Sequence, residues 1–422
     1  MKKVSIINLG CKVNSYESEA LLNKLLAEGF DAEIGLTNAD YYIVNTCAVT
    51  NEAEHKSRQS LAKILKLNPT AKIYVCGCSA ELHPQKFLDA KNVDALVGTQ
   101  DKLNIINLIK ADARGNHITA DKSNYSNYDV AHPTRTRANV KIQDGCNNFC
   151  TYCIIPYTRG RERSRTMADI KREFDIQAGK VGEIVITGIN VAGFGKDLNP
   201  QATLLDVAKL FGNYPNVRFR FSSLEYGSID EGILKELKKH PNFCPFFHLS
   251  LQSGNNEVLK KMNRHYTVEE YSKLIELIRK YFPLCNISTD VIVGFPTETE
   301  EMFADGVKNI EQLRFGNLHI FPYSKRDGTV ASKWGTLNGE VIKARVKKLS
   351  AVAKVAEAEF AKQNIGKTDE VLLETCKDDN YVGYTKNYLK TTIKGTNLLL
   401  NTVYKVKIVA LNPKGGVIGE IV

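Results

Sequence analysis

The chain has 422 residues, 43% hydrophobic and 25% charged, which is ordinary for a soluble globular protein and too long for one core, so two or three domains are expected. Its formal charge of +10, from 57 Lys and Arg against 47 Asp and Glu, favours a polyanionic partner such as a nucleic acid, with plain solubility as the alternative. The first apolar run, residues 4–9, is too short for a signal peptide, and no stretch approaches the ~20 apolar residues of a membrane span. No membrane contact is expected, and a cytoplasmic setting would keep the ten cysteines reduced.

Residues 1–100 alternate strand and helix. Runs at 4–9, 41–44, 72–76 and 93–97 read as strands. Residues 15–26 have helical spacing with Ser15 as N-cap, and 51–67 read as a second helix that stops at Asn68-Pro69, because the residue before proline avoids the α region. This alternation predicts an α/β fold with a doubly wound parallel sheet. Cys11, Cys47 and Cys78 each fall just past the carboxyl end of a strand. In open α/β sheets those ends share one edge, where ligands bind, so the three thiols should converge as a cluster site. A buried structural role competes for any single cysteine, and it is the reading for Cys76, inside its strand. Gly77-Cys78 echoes Gly10-Cys11, glycine permitting a tight turn in both.

Residues 101–138 read as a connection, with a weak helix near 103–113 and a polar run at 121–129. Beyond it, strands at 140–142, 183–187, 218–222, 247–251, 287–293 and 318–321, with helices such as 167–178, 233–239, 268–281 and 300–313, predict a partial (β/α)6 barrel. Directly after its first strand stands Cys146-Asn147-Asn148-Phe149-Cys150-Thr151-Tyr152-Cys153, at the face where barrel active sites lie. Three thiols at CxxxCxxC spacing, with no fourth ligand nearby, suit a [4Fe–4S] cluster that keeps one iron open. A closed zinc site needs four ligands, and a disulfide ranks lower still. Arg135 and Arg137 precede the loop, and Arg159, Arg161, Arg163 and Arg165 follow it at alternate positions. That cationic density is expected to face an RNA backbone.

Residues 343–363 form a charged helical pattern that links or braces domains. From Gly366 onward, runs at 369–374, 381–384, 389–393, 403–411 and 417–422 predict a small antiparallel β-barrel. Its eight Lys against six acidic residues give it little charge of its own.

The sequence from Cys146 to Cys153, placed after a first barrel strand, resembles the radical S-adenosylmethionine (SAM) superfamily. Leu9-Gly10-Cys11-Lys12-Val13-Asn14, Asn45-Thr46-Cys47, Gly77-Cys78, Gln143-Asp144-Gly145-Cys146, Ile155-Pro156-Tyr157-Thr158-Arg159-Gly160, Leu251-Gln252-Ser253-Gly254, Thr289-Asp290-Val291-Ile292-Val293-Gly294-Phe295-Pro296 and Phe321-Pro322-Tyr323-Ser324-Lys325-Arg326 resemble its methylthiotransferase branch, in order over nearly the whole chain. Cys11-Lys12-Val13-Asn14 with Tyr16-Glu17-Ser18, and Gly383-Tyr384-Thr385-Lys386-Asn387-Tyr388, are similar to the tRNA N6-threonylcarbamoyladenosine 2-methylthiotransferases. Tyr226, Asp327 and Glu81 depart from the branch's usual residues without touching a cysteine of either set.

The resemblance implies a methylthiotransferase domain (1–120), a linker (121–138), a radical SAM barrel (139–362) and a TRAM-like RNA-binding module (363–422). It implies two [4Fe–4S] clusters, a radical-generating one on Cys146, Cys150 and Cys153 and an auxiliary one on Cys11, Cys47 and Cys78. It also implies that one SAM methylates a sulfur carried on the auxiliary cluster. A second SAM then gives a radical that takes hydrogen from C2 of the adenine at tRNA position 37. Polar groups at strand ends are expected to hold SAM: Thr187, Gly188, Ser223, Glu225, Gln252 and Tyr323, with Tyr152 approaching its adenine. A capping or turn role is the alternative for each. The implied partners are a tRNA anticodon stem-loop, a reductant such as flavodoxin or ferredoxin, and a sulfur donor. The same chemistry on N6-isopentenyladenosine or on a ribosomal-protein aspartate remains open, as does a non-catalytic RNA-binding metalloprotein. Cys244, Cys285 and Cys376 have no partners at ligand spacing and read as buried or incidental thiols.

Overall fold

The computed structural model describes residues 2–90, 92–130 and 132–422; Met1, Lys91 and Ala131 lie outside them, the last within the expected linker. The N-terminal unit contains β1 (Lys3–Asn8), α1 (Lys12–Ala27), β2 (Asp31–Ile34), β3 (Tyr41–Thr46), α2 (Asn51–Leu67), β4 (Lys72–Gly77), α3 (Cys78–Leu82), α4 (Pro84–Leu88), β5 (Val93–Leu96), α5 (Asn104–Ala111) and β6 (Gly115–Asn116). Its six strands form one parallel sheet in the order β2-β1-β3-β4-β5-β6. One face buries Val4 and Ile6 against Leu21 and Leu25 of α1, and the other buries Val44 and Val75 against Leu61 and Ile64 of α2. Helices on both faces make the sheet doubly wound.

Two expectations need adjusting here. α1 begins at Lys12 with Cys11 as N-cap, not at Ser15, whose hydroxyl instead accepts from Asn8 Nδ2. Gly10, at φ +101°, turns the chain from strand to helix within the three residues between Asn8 and Lys12. The second strand, β2, is an addition to the expected set: its four residues sit at the sheet edge, half-buried at most, and carry little apolar pattern. α2 has the expected bounds: Thr50 accepts from Ala53 N at its start, and Asn68 is extended before Pro69 at its end.

The central unit contains β7 (Arg137–Asp144), α6 (Ile155–Arg159), β8 (Arg163–Ser164), α7 (Met167–Gln177), β9 (Glu183–Gly188), α8 (Leu204–Lys209), β10 (Arg218–Phe221), β11 (Ser223–Leu224), α9 (Glu231–Lys238), β12 (Phe246–Leu249), α10 (Asn256–Lys261), α11 (Val268–Tyr281), β13 (Asn286–Val293), α12 (Glu300–Leu313) and β14 (Asn317–Pro322). β10 and β11 are separated only by Ser222, so β7, β9, β10–β11, β12, β13 and β14 are six parallel strands in sequence order. This is the partial (β/α)6 barrel. β8 pairs antiparallel with the end of β7, and the fourth strand stops at Leu249, two residues earlier than expected.

α13 (Gly339–Gln363) packs along β14 and leads to β15 (Thr368–Lys377), β16 (Asn380–Thr385), β17 (Lys390–Lys394), β18 (Val403–Leu411) and β19 (Val417–Ile421), closed in the order β15-β16-β17-β19-β18. Four pairings are antiparallel and the β17–β19 pair is parallel. This is the expected small antiparallel β-barrel, with one parallel pair at its closure because an odd number of strands in a ring cannot alternate direction all the way round. Among the described residues no helix is long and apolar enough to cross a membrane.

Candidate active site

The three-cysteine loop is held from both sides. Gly145, at φ +72°, takes the chain out of β7, and a Cβ there would lie 1.9 Å from the Arg161 carbonyl oxygen, so only glycine admits this crossing. Cys146 N donates to Gly160 O at 3.1 Å. Gln143 Nε2 donates to the carbonyls of Asp144 and Gly145, both at 2.8 Å, while its Oε1 accepts from Asn190 N at 2.7 Å. On the far side, Thr151 N donates to Met262 O at 3.1 Å, and Asn263 Nδ2 donates to the carbonyls of Asn148 and Phe149.

Cys146 Sγ accepts from Asn148 N at 3.5 Å, and Cys150 Sγ accepts from Arg264 Nη1 at 3.4 Å. Burial pushes the Cys146 thiol up to about 12, and burial with the neighbouring Cys150 raises Cys153 as well. Thiols in this state ionise only against added positive charge, which iron supplies. Among the described residues no three His, Cys, Asp or Glu side chains close on a single metal ion. A four-iron cluster takes its thiolates on separate irons, so neighbouring thiols that do not converge on one point fit it.

Cys11, Cys47 and Cys78 gather at the carboxyl edge of the N-terminal sheet. β2 lies on one side of β1 and β3 on the other, so Cys11 and Cys47 flank the point where strand order reverses, the usual ligand position in such sheets. A Cβ on Gly10 would lie 2.8 Å from Cys47 Sγ, and one on Gly77 would lie 2.5 Å from Thr46 O; both glycines let the turns close in. Burial, then the nearby Cys78 and Cys11, push the Cys47 thiol up to about 12. Cys76 is fully buried in β4, as expected. Ala48 and Cys78 pack with Ile154, the residue after Cys153, so the edge that carries Cys78 abuts the end of the three-cysteine loop.

The expected RNA-facing role of the arginines is overturned in part. Arg159, Arg163 and Arg165 are 0%, 3% and 1% exposed and cannot meet a phosphate. Arg159 Nη1 lies 2.9 Å from Glu17 Oε1 and 3.1 Å from Asp144 Oδ1, and its Nη2 donates to Asn14 Oδ1 at 2.8 Å. Lys102 and Lys141 reach the same Glu17 carboxylate at 2.5 and 2.8 Å. Arg165 pairs with Glu173, which also accepts from Tyr16. Arg159 ends α6, Arg163 opens β8 and Arg165 follows it, and each turns inward onto a carboxylate. Arg161 is exposed, 4.4 Å over the Phe149 ring.

The expected SAM residues divide into groups. Glu225 pairs with Arg264, and so connects to Cys150; burial raises its carboxyl pKa against the opposing pull of Arg264. Tyr152 and Tyr323 pack with Val258, Met262 and Phe295, and the Tyr323 hydroxyl is buried without a partner among the described residues. Thr187 Oγ1 accepts from Ser222 Oγ at 3.2 Å, and Gly188 passes so close to Gln143 that a Cβ would sit 3.2 Å from its carbonyl oxygen. Gln252 adopts φ +71° and bonds through its backbone to Asp290 and Ile292. Arg264 was not legible in the sequence, since an isolated arginine after a short helix gives no signal.

Ser223 opens instead into a chamber of about 840 Å³ inside the barrel. Lys12 enters it from α1, Asn139, Arg220, His248 and His319 from the barrel strands, and Glu374 and Tyr388 from the C-terminal barrel. His248 lies 3.2 Å from Asp290 Oδ2 through Nε2 and 2.8 Å from Ser288 Oγ through Nδ1. The two-residue period of the strands could have placed His248, Asp290 and His319 on the inner face, but no spacing among them marks a shared site.

Residues 140–309 match the Radical SAM superfamily, and residues 3–98 match a family described as Uncharacterized protein family UPF0004. The chain is 37% identical to the threonylcarbamoyladenosine tRNA methylthiotransferase MtaB of Bacillus subtilis, over 97% of this chain and 94% of that one. It is 35% identical to the protein of the same name from Thermotoga maritima, over 98% and 96%. It is also 34% identical, over 100% and 99%, to a tRNA-2-methylthio-N(6)-dimethylallyladenosine synthase of Petrotoga mobilis. Among solved structures, the radical SAM methyltransferase TsrM of Kitasatospora setae aligns with TM-score 0.57 at 15% identity, over 78% of this chain and 77% of that one, a likeness of fold alone. With one thiol set at the carboxyl edge of a parallel sheet and another after the first strand of a partial barrel, and relatives of this identity along its whole length, the chain belongs to the radical SAM tRNA methylthiotransferase family.

Proposed function

We propose that this enzyme inserts a methylthio group at C2 of N6-threonylcarbamoyladenosine, at position 37 of a tRNA anticodon stem-loop, in the cytoplasm. The observation that carries the reading is the packing of Ala48 and Cys78 against Ile154, which supports a juxtaposition of the Cys11, Cys47 and Cys78 edge with the loop of Cys146, Cys150 and Cys153. On this reading residues 1–120 carry an auxiliary [4Fe–4S] cluster, 139–362 the radical-generating one, and 363–422 an RNA-gripping module. Held by Cys146, Cys150 and Cys153 and by Cys11, Cys47 and Cys78, the two clusters with SAM would supply the methyl group, the sulfur and the radical chemistry needed to replace hydrogen at adenine C2.

The chain's own residues bind and orient. Glu225, fixed by Arg264 beside Cys150, offers a carboxylate to the methionine amino group of SAM. Tyr152 and Tyr323 give its adenine an apolar wall, and Thr187 and Gly188 form the floor under Gln143. The adenine of the tRNA must leave its stack to reach this site, at low cost in an anticodon loop. A reductant such as flavodoxin or ferredoxin and a sulfur donor complete the cycle. The relatives named for threonylcarbamoyladenosine and the sequence Cys11-Lys12-Val13-Asn14 favour that substrate over dimethylallyladenosine.

The test is mass spectrometry of nucleosides after anaerobic incubation of reconstituted enzyme with SAM, sulfide, reductant and both tRNA types. A methylthio mass gain on the threonylcarbamoyl nucleoside alone is expected; a gain only on the isopentenyl nucleoside overturns the substrate and keeps the reaction. Cys150→Ala should abolish SAM cleavage, whereas Cys47→Ala should keep cleavage and stop sulfur insertion. Full product from Cys47→Ala would remove the auxiliary site from the mechanism.

A further inference from the structure

Cations crowd one side of the barrel chamber, and all but one have partners. Arg137 pairs with Glu183 and Glu374, Arg220 pairs with Glu183, and Arg135 lies 3.9 Å from Glu19. Lys180 is also bonded. Lys12 is different. It projects from the first turn of α1, beside Cys11, and lines the chamber exposed to its solvent. Among the described residues its ammonium has no hydrogen-bond or ion-pair partner. Its strongest charged neighbours are Arg220 and Arg137, which repel it. Arg220 is only 3% exposed, yet its Nη1 is buried with no hydrogen-bond partner among the described residues. A free ammonium held beside a half-satisfied guanidinium, in a cavity large enough for a modified nucleoside, is a site for an anion.

We propose that Lys12, with Arg220 behind it, receives the carboxylate of the threonylcarbamoyl group and so sets which modified adenosine the enzyme accepts. This inference rests on the substrate reading above. The geometry agrees with it: Lys12 follows Cys11 directly, so a base with C2 toward the auxiliary thiols can extend its N6 substituent down the lumen toward Arg220. An isopentenyl group has no charge to offer either cation.

The test uses cluster-loaded enzyme and anticodon stem-loops carrying N6-threonylcarbamoyladenosine, its carboxylate methyl ester, N6-isopentenyladenosine, or plain adenosine, with Kd read by fluorescence anisotropy. Wild type should bind the free acid about ten- to a hundred-fold tighter than the ester, the loss typical of one charge-assisted hydrogen bond. Lys12→Met should shrink that ratio to within about twofold, and Lys12→Arg should restore most of it. Lys12→Gln is the second variant should Met beside Cys11 impair cluster loading, which iron content and visible absorbance report. If wild type prefers the acid and both neutral variants keep the preference, Lys12 is not the reader and the substrate stands. If wild type binds the threonylcarbamoyl RNA no better than the plain one, the substrate reading and this inference fall together.

Discussion

The barrel is gripped at its two ends by joints made of the same residue types in different ways. At the carboxyl end, Glu17 of α1 takes Lys102, Lys141 and Arg159 on its two oxygens, and Asp144 takes Lys141 and Arg159 as well. At the amino end, Glu183 takes Arg137, Arg218 and Arg220. There the remaining guanidinium faces rest on rings: Arg220 lies 4.6 Å from the Tyr388 centroid, and Arg137 lies 5.0 Å from both Tyr384 and Tyr388. The first joint fixes direction through hydrogen bonds, as is needed where it sets Cys11 relative to the loop that starts one residue past Asp144. The second adds ring faces, which tolerate sliding, to the Arg137–Glu374 ion pair and the bonds from Arg218 to the carbonyls of Glu370 and Tyr384. It also gives the Gly383–Tyr388 stretch a structural role that local periodicity does not reveal. That turn clamps the C-terminal barrel, with Asn387 Nδ2 donating to Leu284 O and Lys386 Nζ to Pro241 O.

Breaking the first joint should have the largest effect. Glu17→Ala leaves three buried cations short of a carboxylate and should cost roughly 3–5 kcal/mol, seen as a fall in the thermal midpoint together with loss of methylthio product. A variant that kept both would reduce the joint to packing. Tyr388→Ala should cost less, about 1–2 kcal/mol, by removing the shared ring under Arg137 and Arg220; limited proteolysis should then release the C-terminal barrel while SAM cleavage continues. Retained protease resistance would show that the Arg137–Glu374 ion pair and the bonds from Arg218 to the carbonyls of Glu370 and Tyr384 hold that joint unaided. Smallest is Arg161→Ala, which removes an exposed guanidinium from the Phe149 ring for about 0.5–1 kcal/mol and should weaken tRNA binding at low salt more than it changes the thermal midpoint.

Acid tests both joints together. Burial opposes ionisation of Glu17, Asp144 and Glu183, but the adjoining cations overcome it and hold all three carboxyls below their ordinary range. For acids depressed in this way the stabilisation is complete above the unfolded value of about 4 and is lost as pH falls through the folded values. Unfolding should therefore steepen below pH ~4, and Glu17→Gln should remove Glu17's share of that dependence while leaving the shares of Asp144 and Glu183.

Local pattern in the chain was enough for much of this. Hydrophobic alternation and the Asn68-Pro69 stop located α2 to the residue, the order of strands and helices identified the doubly wound sheet and partial barrel, and the strand-end positions of Cys11, Cys47 and Cys78 pointed to one edge. These follow from the near-neighbour periodicity of helix and strand, which sequence carries directly. Long-range packing decided the rest. Arg159, Arg163 and Arg165 look like a phosphate-binding run until Glu17, Asp144 and Glu173, distant in sequence or hidden on an inner face, bury and neutralise them. Arg264 reaches Cys150 only because the barrel brings segments more than a hundred residues apart together, and Lys12 reaches the chamber with Arg220 only because the N-terminal unit is folded against the barrel. The charge of a side chain is written in the sequence; whether it faces a partner, a ring or an open cavity depends on what tertiary contact brings within a few ångströms of it.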